Sequence, residues 1–388
     1  MLQKYRVVLM IETSSSYGRD LLEGIIRFLK THHNWSVFLE QRDLARKPPA
    51  WLLDWKGHGI ISRQTTAELA AAAKASGVAV VELTDRGEDF GFPLIRSNDK
   101  MVGRMAADHL LSRGFRNFAF CGFDNEGWSS RREEAFIETV KAKPKVKDCA
   151  VYRSTWYGDD SRSWEDEQTA LVQWLKKLPK PVGVFCCNDG RGQHVLDACA
   201  RADFSIPEEV AVIGVDNDPL LGQLSDPPLS SVRVDPEEIG FRAATLLTQL
   251  MSGGKAESMV NTVPPLGVET RQSTDVMAID DPSIAAALSY IREHACSDIT
   301  VQDVMKHCGL SRSTLERQLR KLLGRSPQQE IRHVQIKRAR NLLTETDLPM
   351  DQIASLCGFD HPEYMHVVFR RETDMTPGQY RRRSKANL

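Results

Sequence analysis

The sequence predicts a two-lobed α/β domain followed by an all-α domain with two helix-turn-helix units. At 388 residues the chain is too long for one ordinary compact domain and long enough to bury at least two cores. From residue 5 to about residue 275, short apolar runs alternate with amphipathic stretches, a pattern typical of repeated strand-helix units. After residue 283, the apolar residues follow i, i+3, i+4 spacing and no strand pattern intervenes.

Eight apolar runs are the candidate strands of the α/β domain. They are continuously apolar rather than alternating, as expected of parallel strands that helices cover on both faces. Because eight strands exceed one simple doubly wound sheet, we predict two lobes with a ligand in the cleft at the carboxyl ends of the strands. The runs occupy residues 6–11, 35–40, 59–62, 78–83, 117–123, 149–154, 182–187 and 210–215.

The polar and acidic segment RQSTDVMAIDDP, residues 271–282, breaks this periodicity. We therefore predict a ligand-binding and dimerisation domain over residues 1–275, a linker over residues 276–282 and a DNA-binding domain over residues 283–388. The apolar stretch at residues 7–11 is too short for a secretion signal, and no apolar run reaches the length of about 18 residues that spans a bilayer. Eight scattered cysteines lack disulfide or zinc spacing. These features indicate a cytoplasmic protein that has no membrane partner, metal or cofactor.

The net charge of −1 hides an uneven distribution. Residues 283–388 contain 17 lysines and arginines against 12 acidic residues, so this segment carries +5 and the remainder −6. A basic module joined to an acidic one suggests that contact with nucleic acid is confined to the C-terminal domain. The alternative is that the basic excess is only a solvated surface.

Two segments of the C-terminal domain, residues 299–324 and 348–372, repeat one pattern. Each consists of a short helix, a Cys-Gly-Leu or Cys-Gly-Phe turn and a second helix. Between them, Ser326-Pro327 begins a helix of about 17 residues, roughly 25 Å long, that can hold the two units near one DNA turn apart. A single amphipathic helix pair is usually only packing, but two of them in the basic part of the chain favour DNA binding.

The turns and caps of these units have a physical basis in the sequence. Gly309 and Gly358 can adopt the positive φ that a tight turn requires. Ser311 and Asp360 can accept hydrogen bonds from the first N–H groups of the next helix, and Glu363 completes a capping box with Asp360. The side chains predicted to face inward are Leu315, Leu319 and Leu322 in the first unit and Met365, Val368 and Phe369 in the second.

The opposite faces of the two second helices are the predicted DNA-reading surfaces. A recognition helix presents such positions to base edges and phosphates in the major groove. Arginine is the usual reader of guanine, so Arg317, Arg320 and Arg370 are the first candidates. The full predicted set is Arg312, Ser313, Glu316, Arg317 and Arg320 in the first unit and His361, Glu363, Tyr364, His366 and Arg370 in the second.

Polar loops follow four of the predicted strands, at the carboxyl ends where a cleft ligand would lie. Carboxylates, amides and guanidinium groups beside an aromatic face suit a small polyol, so we predict a sugar. The alternative is that these residues only terminate strands and cap helices. The candidate ligand-binding residues are Tyr17, Arg19, Trp128, Arg132, Asn188, Asp189, Arg191, Asp216 and Asn217.

Specific motifs give the C-terminal domain a family resemblance. The stretches ASLCGF (354–359), YMHVVFRR (364–371) and TPGQYR (376–381) resemble the AraC/XylS family of transcription activators. The resemblance implies two helix-turn-helix subdomains joined by a helix, and it implies promoter DNA and RNA polymerase as partners.

The α/β domain has a resemblance of its own. VFCCND (184–189), VAVIGVDN (210–217) and PLSSV (228–232) are similar to the effector domain of LacI-type repressors and to periplasmic sugar-binding proteins. The fold implied is a periplasmic-binding-protein-like domain, with Asn188 or Asp189, Asp216 and Arg132 near the ligand hydroxyls. The fusion as a whole resembles a family of bacterial pentose-operon regulators, which implies D-xylose or a related pentose as effector, and a homodimer.

Two other function classes remain to be weighed against a regulator. An enzyme would need a recognisable signature, and the sequence has no phosphate-binding loop, dinucleotide loop or nucleophile elbow. Asp189 and Asp216 are the carboxylates that could serve such an enzyme as general acid and base. In the other reading, the α/β domain binds no ligand and serves only dimerisation, a reading that the polar loops argue against.

Overall fold

A computed structural model describes residues 4–32, 34–39, 48–84, 89–144, 146, 149–155, 162–275, 278–279 and 281–385. The chain divides into two compact units, Met1–Ala278 and Ile279–Leu388. Of the predicted linker, Val276, Met277 and Asp280 lie outside the described residues, as does Glu40 at the end of a predicted strand. The predicted α/β and all-α fold classes are confirmed.

The first unit contains two six-stranded sheets, and each forms one lobe. The sheet of lobe 1 has the order β11-β5-β4-β3-β1-β2, and all of its paired strands are parallel. In its register Leu9 lies between Leu39 and Ile61 on the neighbouring strands. The strands are β1 (Tyr5–Met10), β2 (Trp35–Leu39), β3 (Gly59–Ser62), β4 (Ala79–Glu82), β5 (Leu94–Ser97) and β11 (Val260–Val263).

The sheet of lobe 2 has the order β12-β10-β9-β8-β6-β7. Its pairs are parallel except β10 with β12, which is antiparallel. Its strands are β6 (Asn117–Phe123), β7 (Cys149–Ser154), β8 (Val182–Cys186), β9 (Val210–Val215), β10 (Ser230–Arg233) and β12 (Gly267–Glu269).

Helices pack against both sheets and bury most of the apolar strands, but the expected coverage fails at the edge strand β2, where four of the five residues are exposed. Glycines let the helices α1 and α8 approach closely, because a Cβ at Gly24 would lie 1.9 Å from the carbonyl oxygen of Glu237, and one at Gly240 would lie 2.0 Å from that of Leu21. The helices are α1 (Ser16–Leu29), α2 (Ala67–Ser76), α3 (Asp99–Ser112), α4 (Gly127–Lys141), α5 (Trp164–Lys177), α6 (Asp189–Arg201), α7 (Pro219–Leu224) and α8 (Pro236–Met251).

All eight predicted strands are present, and no strand end differs from its predicted position by more than one residue. The four additional strands, β5, β10, β11 and β12, are three or four residues long and contain serine, arginine, asparagine or glutamate, so they lack an apolar run. The chain passes between the lobes after β5, after β10 and after β11. Residues 271–274, which the sequence places in the aperiodic segment, form a turn of 3₁₀ helix with Ser273 and Thr274 fully buried.

The second unit is entirely helical within its described residues. Its core contains Ile336, Leu343, Ile353 and Phe369. The helices are α9 (Pro282–His294), α10 (Val301–Cys308), α11 (Arg312–Leu323), α12 (Pro327–Glu345), α13 (Met350–Leu356), α14 (Pro362–Thr373) and α15 (Pro377–Lys385). The last of these was not among the predicted helices.

The two helix-turn-helix units are α10–α11 and α13–α14. Gly309 and Gly358 have φ of +69° and +71°, as predicted for the turns. Ser311 caps α11 by accepting a hydrogen bond from the N–H of Thr314, which confirms its predicted role. The predicted cap at Asp360 is wrong. The N-cap of α14 is His361, without a side-chain hydrogen bond, because Pro362 occupies the first helical position and moves the boundary one residue on.

Candidate functional site

A cavity of about 420 Å³ lies between the two lobes of the first unit. Its wall is formed by the loops after strands of both lobes, as predicted for a cleft ligand. Of the nine predicted ligand-binding residues, those that line it are Tyr17, Trp128, Arg132, Asn188, Asp189 and Asp216.

Asp216 is the carboxylate of lobe 2 that faces this cavity. It follows β9, and its Oδ1 lies 4.0 Å from Nη1 of Arg132. Burial raises the pKa of Asp216 to about 6, while Arg132 and Arg63 oppose that rise. Asp216 can therefore accept hydrogen bonds from ligand hydroxyls as a charged group at neutral pH.

Arg132 is held in place by the residues around it. Its Nε donates to Oδ1 of Asp99 at 3.0 Å, and its Nη1 donates to the carbonyl oxygen of Cys187 at 2.6 Å. Asp99 also forms ion pairs with Arg96 and Arg131, at 3.1 and 3.0 Å. A buried carboxylate thus fixes the guanidinium of Arg132 beside Asp216, where it can donate to a ligand oxygen.

Aromatic rings complete the wall. The ring of Trp128 lies 5.0 Å from the guanidinium carbon of Arg132, and its Nε1 donates to Glu126 at 2.8 Å. Tyr17 lies with its Oη 3.4 Å from Oγ of Ser97, and burial raises its pKa, so it remains a neutral phenol. These faces can pack against the C–H face of a sugar ring.

Asp189 and Asn188 line the cavity, and both carboxylate oxygens of Asp189 and the Oδ1 of Asn188 accept hydrogen bonds from within the protein. Oδ1 of Asp189 accepts from the hydroxyl of Ser231 at 2.6 Å, and Oδ2 accepts from the N–H of Asp218 at 2.7 Å. Burial and the neighbouring Asp216 raise the pKa of Asp189 well above its usual value. Oδ1 of Asn188 caps α6 by accepting from the N–H of Arg191. Both residues shape the loops that surround the cavity.

Arg19, Arg191 and Asn217 lie outside the cavity lining. Arg19 donates to the carbonyl oxygens of Thr13 and Ser14. Arg191 is 1% exposed, forms an ion pair of 2.6 Å with Glu167 and contacts the hydroxyl of Ser154. Asn217 accepts from Arg271 at 2.8 Å. The side chains of these three predicted residues are thus engaged within the protein.

The cavity is also lined by charged residues that sequence reasoning did not select, among them Glu12, Arg63 and Asp99. Glu12 is 1% exposed; its Oε1 contacts Arg63 and accepts from Ser15 at 2.8 Å, while its Oε2 has no hydrogen-bond partner among the described residues. Glu12 and Arg63 each directly follow a predicted strand, so the rule that selected the other loop residues could also have identified these two. Asp99 follows β5, a strand that the sequence did not reveal.

The second unit presents the predicted DNA-reading faces on α11 and α14. On both helices the buried side chains are Leu315, Leu319, Met365, Val368 and Phe369, as predicted, while Leu322 is half-buried. Glu316 is half-buried and pairs with Arg312 at 3.3 Å, and His366 is half-buried. The exposed members of the predicted set are Arg312, Ser313, Arg317, Arg320, His361, Glu363, Tyr364 and Arg370.

Val367 was not selected from the sequence although it lies on the same face of α14. It is 66% exposed, beside Tyr364 at 49%. An apolar side chain on a recognition helix can contact the methyl group of thymine. The connecting helix α12 has 19 residues and a length of about 28 Å, slightly longer than predicted.

Known protein families match both units. Residues 107–274 match the model of a periplasmic binding protein-like domain, and residues 304–383 match that of a helix-turn-helix domain. The xylose operon regulatory protein of Haemophilus influenzae is 32% identical over 387 residues, which cover 98% of this chain and 98% of that protein. The chain belongs to the family of xylose operon regulatory proteins. Its Escherichia coli K12 relative is 30% identical over 390 residues, 98% of this chain and 97% of that protein.

A solved structure is similar to the whole chain. The structure of the xylose-binding transcription activator xylR is 29% identical, covers 98% of this chain and 99% of that chain, and has a TM-score of 0.83. Membership of the xylose operon regulatory family confirms the predicted fusion of a periplasmic-binding-protein-like domain with an AraC-type helix-turn-helix module. Among the described residues, no helix is long and apolar enough to cross a membrane.

Proposed function

We propose that the chain is a D-xylose-responsive activator of pentose catabolic genes. The proposal rests on one observation: a cavity with Asp216, Arg132 and Trp128 in its wall occurs in the same chain as two helix-turn-helix units. A cavity of this volume falls in the range of about 300–1,000 Å³ for small-molecule sites. The names of the full-length relatives favour D-xylose among the pentoses.

In the proposed complex, each lobe contributes polar groups to the sugar. Asp216 accepts from one hydroxyl and Arg132 donates to another, while Trp128 packs against the ring. Glu12 contributes an acceptor from lobe 1, because its buried Oε2 has no partner among the described residues. The hydroxyl of Ser16 already donates to Asp218 across the cleft at 2.6 Å, and this contact favours the closed arrangement of the lobes.

Sugar binding is proposed to change promoter affinity through lobe closure. The three chain crossings between the lobes act as the hinge, and the sugar stabilises the closed state by binding it more tightly than the open one. The predicted ligand-binding and dimerisation domain, residues 1–275, also forms the homodimer, so that closure alters the paired DNA-binding domains, which begin at residue 283. A promoter-bound dimer in the cytoplasm then recruits RNA polymerase.

Two binding measurements test this function. Isothermal titration of the full chain is expected to give saturable binding of D-xylose and weaker binding of L-arabinose and D-ribose. Fluorescence anisotropy with a duplex selected by the chain from a random-sequence pool is expected to give higher affinity when D-xylose is present, at fixed salt. Tight D-xylose binding without any change in duplex affinity would contradict the coupling.

The same experiments separate the alternatives. Preferential binding of another pentose would change the effector and leave the mechanism in place. The absence of any pentose binding, with a stable dimer and duplex binding, would favour an α/β unit that serves dimerisation alone. The relatives are transcription regulators, and chemical turnover of a bound pentose would contradict the assignment as a non-enzyme.

A further inference from the structure

The loop that contains Asp216 has an unusual backbone that its neighbours hold in place. Asp216 and Asn217 both have positive φ, of +104° and +57°. Asn217 lies in the left-handed region that asparagine adopts readily, whereas the φ of Asp216 lies beyond that region, where residues with side chains are rare. The N–H of Asn217 donates to Oγ of Ser231 at 2.9 Å. Its Oδ1 accepts from Nη2 of Arg271 at 2.8 Å. Arg271 therefore acts on the residue next to the carboxylate that faces the cavity.

Arg271 is itself fixed on both its backbone and its side chain. Its N–H donates to Oγ of Ser230 at 2.8 Å, and its Nη1 donates to the carbonyl oxygen of Leu229 at 2.8 Å. The guanidinium lies against Gly222, where a Cβ would come within 3.0 Å of Nη1. Because both its backbone and its side chain are held, a movement of Asn217 that carries the guanidinium along also displaces the backbone of Arg271.

The chain that follows Arg271 continues the same network to the end of the first unit. Oγ1 of Thr274 lies 2.7 Å from Oγ of Ser230 and 2.8 Å from Nε2 of His109. Nε of Arg113 donates to the carbonyl oxygen of Thr274 at 2.7 Å, and the carbonyl oxygen of Arg113 accepts from the N–H of Ala278 at 2.8 Å. Ala278 is the last residue of the first unit.

We infer that Arg271 is a positioning residue that couples occupancy of the cavity to residues 271–275 and to Ala278, the last residue of the first unit. This inference rests on the proposed function. A sugar that binds Asp216 favours one of two backbone arrangements at residues 216–217. Because Arg271 donates a hydrogen bond to Asn217, this change of backbone also moves Arg271 and the residues that follow it. Arg271 lies outside the cavity lining, so its effect is on the response and not on sugar contact.

The test measures sugar affinity and duplex response separately in the full chain. For Arg271→Ala, we expect D-xylose affinity within about threefold of wild type, and a D-xylose effect on duplex affinity that falls from the ~5–150-fold typical of allosteric coupling to less than about twofold. Arg233→Ala, at an exposed arginine of the neighbouring strand β10, is the matched control and should retain the full response.

A second pair of variants keeps the test decisive if Arg271→Ala does not fold. Asn217→Ala removes the same hydrogen bond and leaves the other contacts of Arg271 intact, whereas Asn217→Asp retains the acceptor. We expect Asn217→Ala to lose the response and Asn217→Asp to keep it. A full response in Arg271→Ala or in Asn217→Ala overturns the inference. A wild-type chain that fails to bind D-xylose would instead contradict the proposed function.

Discussion

The carboxylate of Asp189 accepts a hydrogen bond of 2.6 Å from the hydroxyl of Ser231, and both residues are fully buried. The second oxygen of the same carboxylate accepts from the N–H of Asp218. Sequence patterns placed Asp189 among the candidate ligand contacts because it follows a strand. Its two hydrogen bonds hold the loop that contains Asp216 and Asp218, and ligand contact by Asp189, which lines the cavity, stays a prediction.

Asp189→Ala is therefore expected to destabilise the first unit. The change leaves the N–H of Asp218 and the hydroxyl of Ser231 without their acceptor, at a cost of roughly 1–3 kcal/mol for each buried group. All seven tryptophans precede residue 175, so the urea transition of tryptophan fluorescence reports on this unit alone. Asp197→Ala, on the same helix α6, is the control, and an unchanged midpoint in Asp189→Ala would contradict the assigned role.

D-xylose affinity is expected to fall as the pH drops through about 6, the raised pKa of Asp216. A protonated carboxyl loses charge-assisted hydrogen bonds to ligand hydroxyls, so we expect a loss of roughly fivefold, from about 1 kcal/mol per bond. Isothermal titration on either side of this pH measures it. Asp216→Asn should bind weakly at both pH values, and a pH dependence that survives in that variant would exclude Asp216 as its source.

The same group affects the stability of the free protein in the opposite direction. Because the pKa of Asp216 is raised in the folded state, the native chain takes up this proton at a higher pH than the unfolded chain does. The contribution of Asp216 to the free energy of unfolding therefore increases as the pH falls through about 6 and on toward the unfolded-state pKa of 3.8. In sugar-free protein, the wild type should gain stability relative to Asp216→Asn over this interval.

Arg317→Ala is expected to weaken duplex binding by about 1–3 kcal/mol and to relax the base preference at one position. Arg317 is exposed on α11, on the face opposite the buried Leu315 and Leu319. Arg317→Lys keeps the charge but loses the planar pair of donors, so it should lose base preference while it retains most of the salt dependence. Anisotropy with duplexes that vary each base in turn measures both quantities. Equal discrimination in wild type and Arg317→Lys would assign Arg317 to phosphate contact only.

The sequence revealed the elements whose signal is local and missed those that depend on the assembled fold. Long apolar runs such as β6 and β9 were predicted at their full length. Both faces of these strands are buried, so nearly every residue along them is apolar. The short strand β5, LIRS, was missed because it has no apolar run and because one of its two partners, β11, comes from a distant part of the chain. Asp99, which follows β5, was missed with it, and its ion pairs with Arg131 and Arg132 form only when α3 and α4 pack together.

The candidate site followed the same division. Six of the nine predicted residues line the cavity, but their position in the sequence did not indicate where each side chain would point. Arg191 is an example, because the helix that begins at Asp189 directs it to Glu167 and Ser154, behind the cavity. Asp360 failed as a cap for a local reason, since Pro362 fixes the first turn of α14 one residue later.

The turn glycines of the two helix-turn-helix units are expected to differ in their tolerance of alanine. Both Gly309 and Gly358 have positive φ, which costs an alanine about 1–2 kcal/mol. A Cβ at Gly309 meets nothing within 4 Å, whereas one at Gly358 comes within 2.8–2.9 Å of the backbone of Cys296. Gly358→Ala must therefore also displace the chain at the end of α9, and it should destabilise the second unit more than Gly309→Ala does.

Two optical signals distinguish this effect from a general loss of stability. The second unit contains no tryptophan, so the tryptophan transition should be unchanged in both variants, while the far-ultraviolet circular dichroism transition moves to lower urea. The shift should be larger for Gly358→Ala, and its duplex affinity should fall with it, since the displaced turn carries the reading helix α14. Equal shifts in the two variants would mean that displacing the backbone of Cys296 does not lower the free energy of unfolding.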